Sequence, residues 1–573
     1  MSSNSILQKL FLLLFLVIAA PVVAQQDSGP TSLLPDIDPQ DIEIRGEFNV
    51  RFPGLSRQPI LGFSPRPPVY RVDPDRMPYI ESDEEVVASI PLSDLEPALK
   101  PEQHFIRFAE HQRVFARTGY GSFQSPEVSL IAELPVREDE SLALDFSHHS
   151  SAGDRDYSSF RDLDGDIQWT RRTGNSRWGV GLTGTSTFNY SPQLVSDALP
   201  DGASYEAHRI NHNSFGIEGR WQHLENAYRG WQAAASINRF TGEGELFTGD
   251  VAETRESRYN IQVNRFWEGP VQEQVFGLRA RATGGFYDTI TDTTQYWLTN
   301  TVGARYRHTF GHAHQVETWL RLFQLYDPVN EFDIYLYPDV QYTFQGSGRV
   351  SAGIRVRGFV NDPTLEKHHK NNRFALQYGQ DLEHERGLHI RLHSDVRITS
   401  QITAYTGLDY WQYYNKAYFS SPQNSESAFF VQQFAEEATH LEWYHGITHY
   451  FSALRTTTNV EFGLNYSGVD EEQIPSGEIP YVPSWRGSVH MMSRPVDRLD
   501  ISAWMDLMGE RNTDIAGEAV DGFTQLGIRA DVRIFNNFGA YIKALNILDQ
   551  EYEVWQNYIE RPFQLYGGLT LHW

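Results

Sequence analysis

Histidine is the residue type in this sequence with the widest chemical reach. His148-His149 precedes Ser150-Ser151 and Asp154, and His368-His369 follows Glu366 and Lys367. His384, His389 and His393 form a third group. Imidazole ligates divalent metals and serves as a general base, and Ser, His and Asp are the parts of a nucleophilic triad. Spacing argues against each use. A strand advances about 3.3 Å per residue, which sets His389 and His393 about 13 Å apart, too far to share one ion directly. Ser and Asp crowd loops because their side chains stabilise turns, and both histidine pairs read as parts of long loops. Asp162-Leu-Asp-Gly-Asp166 and Gly249-Asp-Val251 gather acids without completing a calcium loop, and read as solvated loop acids. The expectation is no catalytic residue, no cofactor, no metal site and no enzymatic activity.

Arginine is the second chemistry-bearing type, and its placement is periodic. Val350, Ala352, Ile354 and Val356 alternate with Ser351, Arg355 and Arg357. Leu388, Ile390, Leu392, Val396 and Ile398 alternate with His389, Arg391, His393, Asp395 and Arg397. Leu526, Ile528, Ala530, Val532 and Ile534 alternate with Gln525, Arg529, Asp531 and Arg533, and Arg279 and Arg281 stand in the same relation to their neighbours. Successive strand residues point to opposite faces, so each segment has one apolar and one charged face. Stretches 128–136, 142–147, 460–466 and 499–507 repeat the pattern. Apolar residues facing lipid and polar ones facing a lumen describe a transmembrane β-barrel. In that setting the eight arginines line the lumen. They could border a conduction path, hold an occupying arm through Asp36, Asp38, Asp41 and Glu43, or pair with Asp145, Asp395, Glu461 and Asp531.

Turns alternate in length, as the two ends of such a barrel require. Arg137–Glu140, Thr173–Ser176, Gln345–Gly348, Ser493–Val496 and Asn536-Asn537 are tight; Ser147–Phe160, Ser191–Ala207, Val360–Arg386, Gly468–Tyr481, Arg511–Gly522 and Leu548–Pro562 are long. The fold class is all-β: a single large transmembrane antiparallel β-barrel of about 22 strands (range roughly 18–24). The count is about 22 if Val360–Arg386 is one loop and about 24 if it holds a hairpin.

The final strand alternates Phe563, Leu565, Gly567, Leu569, Leu571 and Trp573 with Gln564, Tyr566, Gly568, Thr570 and His572. At the other end, Lys9, an apolar run from Leu10 to Ala20 and Val22-Val-Ala24 form a secretory signal over residues 1–24, cleaved after Ala24. The apolar run falls short of the ~20 residues a spanning helix needs. Residues 25–103 are a proline-rich periplasmic or lumenal arm, since each proline removes a ladder donor; anchors such as Phe48, Phe52, Ile60 and Phe63 suit an extended segment docked on another surface. Residues 104–573 are the barrel. A net charge of −26 excludes a nucleic-acid binder, which needs a basic face. Cysteine is absent, so no disulfide framework exists.

The C-terminal third also carries motifs. Ile479-Pro-Tyr-Val-Pro483 followed by Trp485-Arg-Gly-Ser-Val489, then Ala544-Leu-Asn-Ile-Leu-Asp549 with Glu551-Tyr552, then an aromatic last strand, together resemble the barrel of TonB-dependent receptors. The resemblance implies an outer-membrane location, and contact with outer-membrane lipid, lipopolysaccharide and the barrel-assembly machinery. That machinery would read Phe563, Leu565, Leu569, Leu571 and Trp573 as an insertion signal. Those receptors carry an N-terminal plug, whereas the proline-rich segment here is too short and lacks the plug motifs apart from Arg45-Gly46. Three functions follow as expectations: a plugless barrel for passive or partner-assisted solute passage, a scaffold anchoring an envelope complex, or a receptor whose plug another chain supplies. A periplasmic partner would bind through residues 25–103.

Overall fold

A computed structural model describes residues 113–573, apart from 156–157, 191–208, 227–228, 246–250, 272, 289–292, 312, 347–348, 377–380 and 422–429. The signal segment 1–24 and the arm 25–103 lie outside the described residues, as does Asp250 of the Gly249–Val251 acid group.

Twenty-two strands form one antiparallel sheet. The first eight are β1 (Val114–Gly121), β2 (Ser125–Arg137), β3 (Glu140–Ser151), β4 (Phe160–Thr173), β5 (Ser176–Tyr190), β6 (Arg209–Asn226), β7 (Arg229–Glu245) and β8 (Val251–Glu268). Then come β9 (Gln274–Asp288), β10 (Thr294–Phe310), β11 (His314–Asp327), β12 (Glu331–Gly346), β13 (Val350–Asn361), β14 (Glu385–Arg397), β15 (Ile402–Ser420) and β16 (Val431–Phe451). The ring finishes with β17 (Thr456–Val469), β18 (Trp485–Val496), β19 (Leu499–Met508), β22 (Phe523–Arg533), β23 (Phe538–Leu545) and β26 (Gln564–His572). Two short hairpins, β20 (Arg511–Asn512) with β21 (Ala519–Val520) and β24 (Glu553–Trp555) with β25 (Tyr558–Ile559), ornament the loops.

The sheet closes because β1 pairs with β26, Phe115 opposite His572 through Gly121 opposite Tyr566. Closure leaves no edge strand with unpaired amides. Behind the seam, Glu127 accepts from Lys543 Nζ at 2.6 Å and from the Tyr541 hydroxyl, with Arg117 Nε at 4.0 Å. Arg529 lies over the Tyr541 ring, its guanidinium carbon 4.8 Å from the centroid, and pairs with Asp531 at 2.7 Å. The first and last parts of the chain are thus joined by buried charge as well as by backbone.

Both ends of the ring stand together: Arg113 N donates to Trp573 O at 2.7 Å. We call this the terminal end and the opposite one the loop end. Terminal-end turns are short throughout, and the long connections all gather at the loop end. Alternation along the strands produces an apolar outer surface. Ile237, Val302, Leu336 and Ile542 are more than half exposed although they sit mid-strand, which only a lipid surround makes favourable.

Several boundaries differ from those read in the sequence. His148-His149 lies within β3 and Asp162–Asp166 within β4, because the alternation continues through Ser151 and resumes at Phe160. Ser493–Val496 belongs to β18; its proline disguised a register shift between Ser493 and Val496 as a turn, and the turn is Asp497-Arg498. The stretch between β13 and β14 holds a seven-residue helix, Leu365–Asn371, rather than a hairpin, which sets the count at 22.

Candidate functional site

That stretch, Asp362 to His384, is the candidate site. Pro363 ends β13, and Thr364 caps the helix, its side-chain oxygen accepting from Lys367 N at 3.1 Å. The helix stops at Asn372, whose amide reaches back to His368 O at 3.0 Å. Asn372 Oδ1 then accepts from Phe374 N at 2.9 Å, an Asx turn that redirects the chain.

The loop runs inward across the barrel instead of outward. Leu365 and Leu382 pack with Phe240 of β7, Tyr287 of β9 and Trp297 of β10. Leu376 packs with Ile210 of β6 and Ala252 of β8. Each leucine buried in this way contributes about 1.5–3 kcal/mol over leaving it exposed, more than the ~0.5–1.5 kcal/mol of a single net hydrogen bond. Apolar contact therefore dominates the docking, and polar contacts set its register. Asp362 accepts from Thr299 Oγ1 at 2.7 Å and from Arg281 Nη2 at 3.4 Å. Glu366 pairs with Arg258, and Arg373 with Asp162 at 2.9 Å. His384 links Thr299, at 2.9 Å from Nε2, to Asp327, at 2.8 Å from Nδ1. Thr187 Oγ1 lies 2.9 Å from His369 Nε2, and the His369 ring stacks on His212 with centroids 3.5 Å apart.

These partners sit on β4 through β11, while the loop springs from β13 and β14. In a ring of 22 strands, contact with β4 carries it nine strands from β13 (13 − 4 = 9), close to a diameter. Beyond the helix the loop meets others. Ala375 pairs with Phe430 in a parallel bridge, and Phe374 stacks on Tyr558 at 3.5 Å. Ala375, Phe419, Phe430, Tyr481, Val520, Phe523, Tyr552, Val554, Trp555 and Tyr558 form one apolar core over this part of the loop end. Fully buried Arg511 ties it together, donating to Val554 O at 2.7 Å and to Glu553 O at 2.7 Å. The motif residues Tyr481 and Tyr552 thus serve the loop core. Asn546, at positive φ, donates to Gln550 O and Arg561 O.

Two histidines of the loop helix are buried. Burial, helped by Lys367, lowers the His368 pKa to about 3. Burial, with His212 and then Arg373, holds His369 well below 6.5. Both imidazoles are neutral when the loop is docked.

The arginines read from the alternation fall into four groups. Arg355 pairs with Asp339 at 2.8 Å, as does Arg321, which the sequence reading passed over, at 3.0 Å. Arg357 donates to His389 Nδ1 at 3.3 Å, and Asp409 bridges His389 and Arg391 at 2.6 and 2.7 Å. Arg279 lies over Trp319, while Arg281 holds the loop. Arg529 pairs with Asp531, and Arg397 and Arg533 stand near the terminal-end turns. Of the carboxylates named as partners, Asp531 serves Arg529 and Glu461 lies 3.8 Å from Arg486; Asp395 accepts instead from Ser351 at 2.9 Å. Along β26 and its two flanking residues, Phe563, Leu565, Leu569, Leu571 and Trp573 are all at least 41% exposed, whereas Gln564, Tyr566 and Thr570 are buried.

No triad forms at His148: its Nε2 meets Ser150 Oγ at 3.2 Å, while Asp154 binds Ser158 and Arg155. Among the described residues no group of three or more His, Asp or Glu is placed to hold a metal ion. The residues missed by sequence reading are Thr299, Asp327 and Asp362, while Glu366, named beside the histidine pair, serves as an ionic anchor of the loop. Only strand parity marks the first two as inward, and Asp362 carries no periodic signal.

The sequence matches no protein-family model, and no curated protein matches it. Solved structures do match. The chain is similar to the ferric-catecholate import receptor Fiu of E. coli K12, with a TM-score of 0.62 and 10% identity over 82% of each chain. It is similar to the siderophore receptor PirA of Acinetobacter baumannii, with a TM-score of 0.63 and 11% identity over 82% of this chain and 81% of that one. For the FrpB iron transporter of Neisseria meningitidis (F5-1 variant) the TM-score is 0.64, with 8% identity over 81% of this chain and 83% of that one. The likeness is one of fold: a closed 22-strand antiparallel barrel, the architecture that the resemblance of the C-terminal motifs implied.

Proposed function

We propose that this chain is an outer-membrane, receptor-like barrel that passes a solute, passively or with help from a periplasmic partner, and that the loop Asp362–His384 is its gate. In this reading the terminal end faces the periplasm and the loop end faces outward. The observation that carries it is the crossing itself: one connection docks its apolar face on the inner wall of strands β6 to β10 and its ionic groups on β4 to β11. A scaffold needs no such loop, because its interactions lie outside the ring. A passage needs one, since a lumen of 22 strands is otherwise wide. Barrels plugged by their own loops are an established solution to that problem. Residues 25–103 would meet the periplasmic partner. Phe563, Leu565, Leu569, Leu571 and Trp573 would be the surface read during insertion, and the arginines would border the path.

Replacing residues 364–382 by a short Gly-Ser turn tests the reading. Cells producing the shortened barrel should become sensitive to large antibiotics that the full-length barrel excludes. Unchanged exclusion by a barrel still heat-modifiable on a gel would overturn it.

A further inference from the structure

The inner wall of the barrel is unevenly charged. On β9 to β14, Arg279, Arg281, Arg305, Arg321, Arg355, Arg357 and Arg391 occupy the inward positions of one arc. Glu317 and Asp339 meet them on these strands, Asp409 reaches in from β15, and Asp327, Glu385 and Asp395 take inward positions towards the strand ends. On β3 to β6 the inward positions carry Asp145, Asp162, Asp164, Asp166 and Glu218. Asp145 and Asp166 are direct register partners, and so are Arg355 and Arg391 on the other arc. Like charges directly opposite one another oppose pairing, so neither arrangement arises from strand pairing alone. Arg220 and Arg373 join Glu218 and Asp162, and Arg172 and Arg177 take inward positions nearer the terminal end.

The two arcs stand at one level. Counted from the terminal-end limit of each strand, Asp145 is five residues in from Glu140 and Asp166 seven in from Thr173. On the other arc Arg321 is seven in from His314, Arg355 five in from Val350 and Arg391 six in from Arg397. These strands are 12 to 14 residues long, so all five charges lie near mid-strand. The centre of one arc falls between β4 and β5 and that of the other between β11 and β12, about seven strands apart in a ring of 22.

We infer that the mid-lumen band is polarised between these two arcs and selects small zwitterionic solutes, such as free amino acids, over uncharged solutes of the same size. This rests on the passage reading and names its substrate class. A solute bearing both an ammonium and a carboxylate gains from both arcs at once, by turning its cation towards β3–β6 and its anion towards β9–β14. An uncharged isomer gains from neither, and a simple ion gains from one arc and is repelled by the other. Low-dielectric walls keep the field from being screened as it would be in open water.

Osmotic swelling of proteoliposomes holding the full-length protein tests this with glycine and its uncharged isomer glycolamide, at about pH 5, where glycine is still a zwitterion. Rates are corrected for protein-free liposomes. Glycine should enter roughly threefold faster than glycolamide or better. The advantage should shrink in the Asp145→Asn/Asp166→Asn pair, which leaves the arginine arc intact. It should return in Asp145→Glu/Asp166→Glu, which keeps the charge. Equal rates in the unmodified protein, or an advantage untouched by the double Asn change, would overturn the inference while leaving the passage reading standing. Swelling with neither solute would overturn the passage reading, and this inference with it.

Discussion

The His369 ring of the lumenal helix stacks on the His212 ring of β6 with centroids 3.5 Å apart. The loop therefore meets the opposite wall through imidazoles, and its docking responds to protons. In a released loop His368 and His369 titrate near 6.5. Docked, burial keeps His368 neutral down to about 3 and His369 neutral well below 6.5. The released state binds more protons in that interval, so docking is at full strength above about pH 6.5 and weakens as pH falls. Each imidazole weakens it by about tenfold per pH unit below 6.5. The groups around them act in the same direction. Lys367, Lys370 and Arg373 repel an imidazolium. Open probability in planar bilayers should rise from neutral pH to about pH 4.5. It should rise less steeply in His369→Leu. A flat profile would refute the proton linkage.

Asp362 is the loop's firmest polar anchor, held by Thr299 and Arg281. Asp362→Ala should weaken docking by about 1–3 kcal/mol, the penalty of leaving buried donors unmet. Protease added from outside should cut the loop faster, while the temperature at which the barrel loses its compact gel mobility stays the same. A lowered barrel transition with no gain in cleavage would assign Asp362 to the wall rather than to the gate.

Asp339 is shared by Arg321 and Arg355 and is almost fully buried. Removing one partner of such a group leaves charge uncompensated, so Asp339→Ala should cost about 3–5 kcal/mol of barrel stability. Urea titration of the folded gel species measures this. A change under about 1 kcal/mol would mean that the arginines find other carboxylates.

Leu569 faces lipid and is 47% exposed, whereas Thr183, also exposed, faces the lumen opposite Asp166. Leu569→Arg should impair assembly by about 2–4 kcal/mol, with Thr183→Arg nearly neutral and Leu571→Arg milder because it lies close to the rim. Thr570 is not a suitable lumenal control. It is only 6% exposed and sits opposite Arg117, so an arginine there meets a like charge at the seam. Equal assembly of Leu569→Arg and Thr183→Arg would reverse the facing of the wall.

Parity made the barrel legible before any coordinates. Leu388 through Ile398 assigns lipid and lumen sides residue by residue, and the turn lengths separate the two ends. The gate was not legible. His368-His369 next to Glu366 looks the same whether the loop extends into water or folds inward. The difference is made by Ile210, Phe240, Tyr287 and Trp297, which lie far away in sequence and whose inward apolar side chains only a closed ring brings together. Pairing of arginines was readable in kind but not in detail. Asp339 and Asp409 lie one strand over from Arg355 and Arg391, and sequence alone does not reveal register across strands.

The central claim is that the loop's departure from the wall opens the barrel. The chain has no cysteine, so Thr187→Cys with His369→Cys introduces a single pair of thiols at positions whose native side chains lie 2.9 Å apart. A short bismaleimide would tie the helix to β5. Single-channel conductance of this one protein, recorded at about pH 4.5 before and after bridging, is the most direct test. The account predicts openings before bridging and their loss afterwards. The same openings in both states would contradict the gate, and silence in both would contradict passage itself.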